Sequence, residues 1–389
     1  MLNQEIINTI EVNVKVMKKA ILITTVSGFV PQFEMNNVRI LQDMGYEVHY
    51  ASNYHNPSYG KDNHRLDNTN IIRHQVDFVR SPFRIIKNVK AYVQLQQILQ
   101  KDNYKLVHCH TPMGALLGRL AARGYRKQGC RVFYTVHGFH FYKGASLINW
   151  LFYYPVERFM MRYTDVLLTI TKEDYDRACC FKRKSNQKVY YIPGVGIDTN
   201  RFMQIEQGRT ETGGTQKVRL LSVGELNSNK NHIAVIRALG HLKRNNIIYM
   251  ICGDGVQKEK LRMEIQKRHL QKKVFLLGYR ENIEEILAIA DVFVFPSQRE
   301  GLSVALQEAM AAGLPAVVSD IRGNRELIDE GLGGYRVDAK DYKAWADTID
   351  KIIKADKKKM GKYNQNKIKS HDLSCVSTLM RKVYSENLV

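Results

Sequence analysis

Short runs rich in β-branched and aromatic residues alternate with helical stretches along the whole chain, and nothing else restricts the fold as much. In the first half the runs are AILITTV (20–26), EVHYAS (47–52), KLVHCHT (105–111), RVFYTVHG (131–138), DVLLTI (165–170) and KVYYIPG (188–194). Helical patterns fall at 34–44, 84–101, 113–127 and 146–163. In the second half VRLLSVGE (218–225), IIYMICGDG (247–255), KVFLLGY (273–279), DVFVFPS (291–297) and PAVVSD (315–320) alternate with helices near 231–244, 256–270, 282–290, 302–312 and 341–355. Such alternation predicts α/β domains with parallel sheets. With 389 residues and roughly 100–200 residues per domain, two domains are expected.

The stretch 194–217 is polar, Gly/Thr-rich and without apolar periodicity, so it reads as the linker. The expected division is an N-terminal Rossmann-like domain over 1–193 and a C-terminal Rossmann-like domain over 218–370. A C-terminal helix over 371–389 is expected to pack back on the first domain. Residues 1–16 read as an extension ahead of Met17. From Met17 the run MKKAILITTVSGFV has the basic start and apolar core of a signal peptide, but a Gly-containing turn replaces the cleavage site. It reads instead as a buried first strand.

Six sparse cysteines form no Cys-x-x-Cys pair, which leaves zinc and redox motifs without support and fits reduced thiols in a cytoplasmic protein. No apolar stretch approaches the ~20 residues that span a bilayer. The net charge of +21 favours anionic partners. No nucleic-acid recognition module accompanies it, so nucleic acid is not an expected partner.

Chemistry concentrates where strands end. In PSQREGLSVALQEAMAAGLPAVVSD (296–320) a strand ends at Ser297, a loop carries Glu300 and Gly301, and a helix begins near Ser303. The N–H groups of Gly301, Leu302, Ser303 and Val304, with the positive end of the helix dipole, suit a diphosphate or sugar hydroxyls. Glu308 lies in the second turn, so two carboxylates could serve two hydroxyl-rich ends of one ligand. The structural alternative is a helix-terminal charge at Glu300 and a solvated Glu308. In VGELNSNKNH (223–232) a strand runs into Gly224, and Lys230 stands at a helix start, where it could neutralise phosphate or simply decorate the surface. CGDG (252–255) and LLGY (276–279) also end strands with Gly, placing Gly278 and Tyr279 at the same edge. No G-x-G-x-x-G fingerprint occurs, which argues against NAD and FAD. HCHTP (108–112) and TVHGFHF (135–141) hold histidines at strand ends. His108 and His110 share one strand face with no carboxylate set nearby and read as structural. His137 precedes a Gly and points from its strand end.

Together these residues resemble the retaining GT-B-fold glycosyltransferases of family 4 type. EGLSVALQE is similar to that family's Glu–seven residues–Glu motif, and SGF (27–29), TVHGF, PGVGIDTNRF and VGELNSNKN follow in its order. The resemblance covers essentially the whole chain. HCHTPMGALLGRLAAR and YTVHGFHFYKGA further resemble bacterial capsular and exopolysaccharide enzymes, a subgroup similar to those that add N-acetylhexosamine to polyprenyl-diphosphate-linked sugars. The resemblance implies two Rossmann-like domains facing across a cleft. Glu300 would contact donor-sugar hydroxyls, and the backbone from Gly301 to Ser303 would donate to sugar and phosphate. Glu308 would bind ribose, Lys230 the diphosphate, and His137 the sugar near the transferred carbon. Gly28 would let the first loop approach the donor phosphates. One departure is Glu225, where many relatives carry Arg.

The implied reaction moves a hexose or N-acetylhexosamine from a UDP-sugar to a lipid-linked saccharide with retention. No Asp-x-Asp motif appears, so neither metal nor other cofactor is expected. A nucleotide-sugar 2-epimerase of the same architecture is the alternative, and its motif spacing fits less well.

Between Val79 and Lys143 twelve basic residues face the single acid Asp102, a net +11. Arg80, Arg84, Lys87, Lys90, Arg119 and Arg123 are expected to form a patch for an anionic membrane or the acceptor. PFRIIKNVKAYVQL mixes cations with apolar residues as an interfacial helix does, and NWLFYYP (149–155) adds aromatic residues suited to a headgroup boundary. A solvated basic face is the plainer alternative. The expected location is the cytoplasm, peripherally on the inner face of the cell membrane.

Overall fold

The computed structural model describes residues 17–59, 62–181, 185–204, 217–242 and 244–388. The extension over 1–16 and most of the linker (205–216) lie outside the described residues. Contacts group the chain into two units. One holds the residues up to Tyr134 with Tyr163–Asp165 and the chain's end from Ser385; the other holds Thr135–Arg162 and Val166–Tyr384.

In the first unit the strands are β1 (Lys18–Ile23), β2 (Tyr46–Ser52), β3 (Ile72–Gln75), β4 (Tyr104–Cys109) and, up to Tyr134, β5 (Arg131–Val136). They lie in the order β3-β2-β1-β4-β5, all pairings parallel. The connecting helices are α1 (Met35–Asp43), α2 (Ile85–Lys101) and α3 (Pro112–Ala122). Ala20, Ile21, Leu22 and Ile23 are wholly buried, as an unbroken apolar run must be when helices cover both faces of a sheet.

The second unit contains the parallel pair β6 (Val166–Thr169) and β7 (Lys188–Tyr191). Its main sheet has β8 (Val218–Val223), β9 (Ile247–Cys252), β10 (Val274–Gly278), β11 (Val292–Phe295), β12 (Ala316–Ser319) and β13 (Gly334–Val337). The order is β10-β9-β8-β11-β12-β13, again parallel throughout. Its helices are α4 (Leu147–Met160), α5 (Lys172–Cys179), α6 (Thr199–Met203), α7 (His232–His241), α8 (Lys258–Lys267), α9 (Ile283–Ile289), α10 (Val304–Ala311), α11 (Arg322–Leu327), α12 (Tyr342–Lys354), α13 (Lys357–Ile368) and, up to Tyr384, α14 (Leu373–Asn387).

Side-chain alternation splits this sheet's core into two. Leu221, Met250, Phe293, Phe295 and Val318 face one cluster, while Leu220, Tyr249, Val292, Val294 and Val317 face the other. Period-two alternation with both sets apolar is the signature of a sheet buried on both sides. Each sheet reverses its winding once, between β1 and β4 and between β8 and β11. In open α/β sheets that switch point, beyond the carboxyl ends of the strands, is where ligands bind.

The expected strands are present, most of them a residue or more shorter at the carboxyl end. Two strands lack any signal in the sequence: β3 (IRHQ) and β13 (GYRV). Both are edge strands, paired on one side only, so neither needs a long apolar run.

Trp345 on α12 is wholly buried in the second cluster, and its indole N–H donates to the Asp338 carbonyl at 2.9 Å. Trp345→Ala removes the largest fully buried side chain of the protein. It should destabilise the second unit by about 3–5 kcal/mol, read as a lower urea midpoint of that unit's unfolding transition.

Candidate active site

The carboxyl ends of β8, β9 and β10 are stitched by backbone hydrogen bonds through glycine turns. Gly224 N–H donates to Cys252 O at 2.9 Å, and Gly253 N–H to Gly278 O at 2.8 Å. Gly253 has φ +148°, and a Cβ there would lie 1.9 Å from the Gly224 carbonyl oxygen. The rim therefore tolerates no side chain at that point.

Lys230 follows β8 and Glu300 follows β11, so the two flank the switch point. The Lys230 ammonium lies 2.8 Å from a Glu300 carboxylate oxygen and 4.8 Å above the Phe295 ring. The turn that carries Lys230 is tied to the Glu300 loop by polar groups. Asn229 Nδ2 donates to Arg299 O at 2.9 Å, Gln298 N–H donates to Asn229 O at 2.7 Å, and Asn231 Nδ2 donates to Pro296 O and Ala339 O. Asn231 takes the left-handed conformation, φ +53°, which asparagine tolerates better than most residues.

Beyond Glu300, Ser303 caps α10, its hydroxyl accepting from Leu306 N–H at 3.4 Å. The amides of Gly301, Leu302, Ser303 and Val304 donate to no acceptor among the described residues. A cation, a carboxylate and a fan of amides at a helix N-terminus thus share one strand edge, where an anion and a hydroxyl-bearing group can be held together. A Cβ on Gly301 would come within 2.2 Å of the His137 carbonyl oxygen, so glycine is what lets these two segments touch. Half-buried His137 is thereby brought beside the Glu300 loop.

Glu308 is half-buried, and its carboxylate has no hydrogen-bond or ion-pair partner among the described residues. Burial pushes its carboxyl up to about 7, with Arg201 on α6 pulling it back. Burial, with Arg299 and Arg322 nearby, drives His140 down to about 4, and its ring stacks on Tyr153 at 4.4 Å. His140 is therefore a neutral imidazole at physiological pH.

Gly224, Lys230, Gly278, Glu300 to Val304 and Glu308 all belong to the second unit, with exposed Tyr279 at its rim. Glu225 is exposed. Gly28 belongs to the first unit, where its N–H donates to Pro57 O at 2.7 Å. There a Cβ would lie 2.0 Å from the Ser58 carbonyl oxygen. Three expectations need correction. Arg119 is buried rather than part of a surface patch: its Nε donates to Ala115 O at 2.9 Å and its guanidinium lies 4.1 Å from the Tyr134 ring centre. A carboxylate does stand near the buried His108 and His110, because α1's preceding turn brings Glu34 to 3.4 Å from His110. In 149–155 the aromatic residues Trp150 and Tyr154 turn inward onto Phe141, while Leu151 and Phe152 are exposed. Sequence reading missed Asn229, Asn231, Asp174 and Arg322, and gave His140, within TVHGFHF, only a structural place. Only the asparagines had a signal, lying in a turn that needs left-handed backbone.

Residues 35–201 match the family described as Glycosyltransferase Family 4, and residues 205–369 match Glycosyl transferases group 1. EpsD of Bacillus subtilis is 36% identical over 343 residues, 86% of this chain and 87% of its own length. This chain belongs to the family 4 glycosyltransferases. The Escherichia coli UDP-Gal:alpha-D-GlcNAc-diphosphoundecaprenol alpha-1,3-galactosyltransferase is 32% identical across 73% of this chain and 76% of its own length. Among solved structures, Anabaena HepE in complex with UDP-glucose superposes with a TM-score of 0.73 at 16% identity, over 95% of this chain and all of HepE. Sucrose-phosphate synthase from Thermosynechococcus elongatus gives 0.74 at 17% identity, over 95% of this chain and 98% of its own. The fold is that of the GT-B glycosyltransferases.

Glu308 links the site to stability. Its folded pKa lies above its ordinary value of 4.5, so the neutral form is favoured in the folded protein and stability is lost as pH rises from about 4.5 to 7. Glu308→Gln should match the wild type at pH 4.5 and exceed it at pH 8 by ~1–2 kcal/mol, allowing for solvent screening of a half-buried group. Urea unfolding at the two pH values measures this.

Proposed function

We propose that this glycosyltransferase moves an N-acetylhexosamine or hexose from a UDP-sugar to a polyprenyl-diphosphate-linked saccharide, with retention, in the synthesis of a capsular or extracellular polysaccharide. The observation that carries the reading is the convergence of Lys230, Glu300 and the free amides of 301–304 at the switch point of the second sheet. The E. coli relative, whose name gives a UDP-linked donor and a diphosphoundecaprenol-linked acceptor, supports the substrate classes. A Campylobacter jejuni relative, 34% identical over 39% of this chain, bears a name that likewise includes a diphospho-undecaprenol-linked saccharide.

In this reading Glu308 accepts from the ribose hydroxyls, Glu300 from the hydroxyls of the transferred sugar, and His137 lies beside its reacting carbon. The acceptor hydroxyl attacks the anomeric carbon from the face that the diphosphate leaves. The bond from that carbon to the phosphate oxygen breaks, and its electron pair goes to UDP. The acceptor's proton passes to the leaving phosphate oxygen. Lys230 and the amides of 301–304 stabilise the charge growing there, which is the largest service such a site can offer. No metal enters the scheme.

The reading places the protein on the inner face of the cytoplasmic membrane. Arg80, Arg84, Lys87, Lys90 and Arg123 are exposed, and Phe83, Ile85, Ile86 and Val89 beside them are 57–86% exposed. In the second unit, α4 exposes Leu147, Ile148, Leu151, Phe152, Val156 and Phe159 along one face. Apolar side chains ringed by cations suit an anionic bilayer surface, where each cation adds ~1 kcal/mol. No helix among the described residues is long and apolar enough to cross a membrane.

A panel of nucleotide sugars, read by thermal stabilisation, should single out a UDP-sugar. UDP release should then require a lipid-linked acceptor; an epimerised sugar formed without acceptor would point to the isomerase instead. Lys230→Ala should cut transfer by roughly 100-fold or more, as removal of one charge-stabilising donor does, and weaken donor binding far less. Unchanged turnover would remove Lys230 from the mechanism. Wild-type protein should co-sediment with vesicles containing anionic lipid, less so in high salt, and the triple variant Arg84→Glu, Lys87→Glu, Lys90→Glu should lose binding. Equal binding by that variant would return the patch to ordinary surface.

A further inference from the structure

Arg322 opens α11 and is buried, yet the scheme above gives it no task. Its Nη1 donates to an Asp174 carboxylate oxygen at 2.7 Å and to the Phe139 carbonyl at 3.1 Å. Its Nη2 donates to the Glu300 carbonyl at 3.3 Å, and the guanidinium lies 4.9 Å from the Tyr142 ring centre. Asp174, in the first turn of α5, is as buried as the arginine, and its other oxygen accepts from Phe139 N–H at 3.4 Å. One turn further along α11, Glu326 accepts from Lys172 N–H at 2.8 Å and from the Tyr191 hydroxyl at 2.6 Å. The two ends of α11 therefore grip the start of α5 with opposite charges.

Stability alone gives little reason for such a pair, because a buried ion pair is often no better than apolar side chains of equal volume. Geometry gives a better reason. A guanidinium is a rigid fork that reaches several acceptors in fixed directions, which an ammonium cannot do. Here the fork spans two carbonyls: Phe139, two residues after His137, and Glu300 itself. Gly138 makes room for it, since a Cβ there would lie 2.5 Å from Nη2.

We propose that Arg322 is a positioning residue for sugar transfer: by holding the Phe139 and Glu300 carbonyls it fixes the spacing of the segments that present His137 and Glu300 to the transferred sugar. The inference rests on the transferase reading above. It places the effect of Arg322 on the transferred sugar more than on the nucleotide: Lys230 and Glu308 act from elements that Arg322 does not touch, and of the amides at 301–304 only the Gly301 N–H shares a peptide unit with a carbonyl that Arg322 holds.

The test compares wild type, Arg322→Lys and the double variant Arg322→Gln/Asp174→Asn. The first keeps the charge opposite Asp174 and loses the fork; the second removes both buried charges together, so that neither is stranded. Turnover is measured with the UDP-sugar picked by thermal stabilisation and a polyprenyl-diphosphate-linked N-acetylglucosamine acceptor, and UDP affinity by calorimetry. Both variants should lose kcat by about 30–100-fold, the scale of an ångström of misplacement. UDP affinity should stay within about twofold and the melting temperature near wild type. Full turnover in either folded variant overturns the role, as does a fall in UDP affinity matching the fall in turnover. Failure of both variants to fold makes Arg322 structural and overturns it too. Wild-type protein that transfers no sugar overturns the transferase reading and this role with it, whereas an active wild type with an equally active Arg322→Lys overturns the positioning role alone.

Discussion

A parallel sheet covered on both faces has one kind of surface left on which to place polar chemistry, the ends of its strands. In the second unit the two apolar clusters take alternate side chains of every central strand, so no polar group on those strands can face a ligand sideways. Chemistry is pushed to the carboxyl ends, where the backbone must turn and its N–H groups are free. The winding reversal between β8 and β11 opens a gap there, and the residues that follow those two strands are Lys230 and Glu300. The site depends on this constraint more than on any single contact.

Holding charged groups at that edge requires compensation. Lys230 and Glu300, each largely withdrawn from solvent, neutralise one another. Arg322 and Asp174, deeper still, do the same, although burial lifts Asp174 to about 6 against the pull of Arg322, Thr171 and the Phe139 amide. Glu308 stands without such a partner, and its raised pKa is the physical trace of that. A carboxylate that is costly to ionise would gain most from a partner that donates hydrogen bonds to it.

Charge on the first unit follows a different logic. The excess of basic residues between Val79 and Lys143 is real, yet its members do not act alike. Arg119 is folded into the interior against Tyr134, and Lys90 pairs with Asp77 at 2.8 Å. Arg84 and Lys87 remain exposed beside Phe83, Ile85 and Ile86. There cations stand beside uncovered apolar surface.

The sequence by itself determined the alternation of strands and helices, the carboxyl-end glycine turns and the order of the motifs, because backbone period, burial of apolar runs and turn chemistry are local properties. Lys230, Glu300 and Glu308 were legible for the same reason: each sits at a fixed offset from a strand end or helix start. The edge strands β3 and β13 were not, since an edge strand needs neither a long apolar run nor a two-sided pattern. Tertiary structure alone decided which groups meet. Asn229 and Arg299, Arg322 and Asp174, and Glu34 and His110 lie 70, 148 and 76 positions apart, and nothing in the local pattern around any of them marks its partner. It also decided that Arg119 goes in and Phe152 stays out, because burial is settled by what a neighbouring element covers and not by the residue's own polarity.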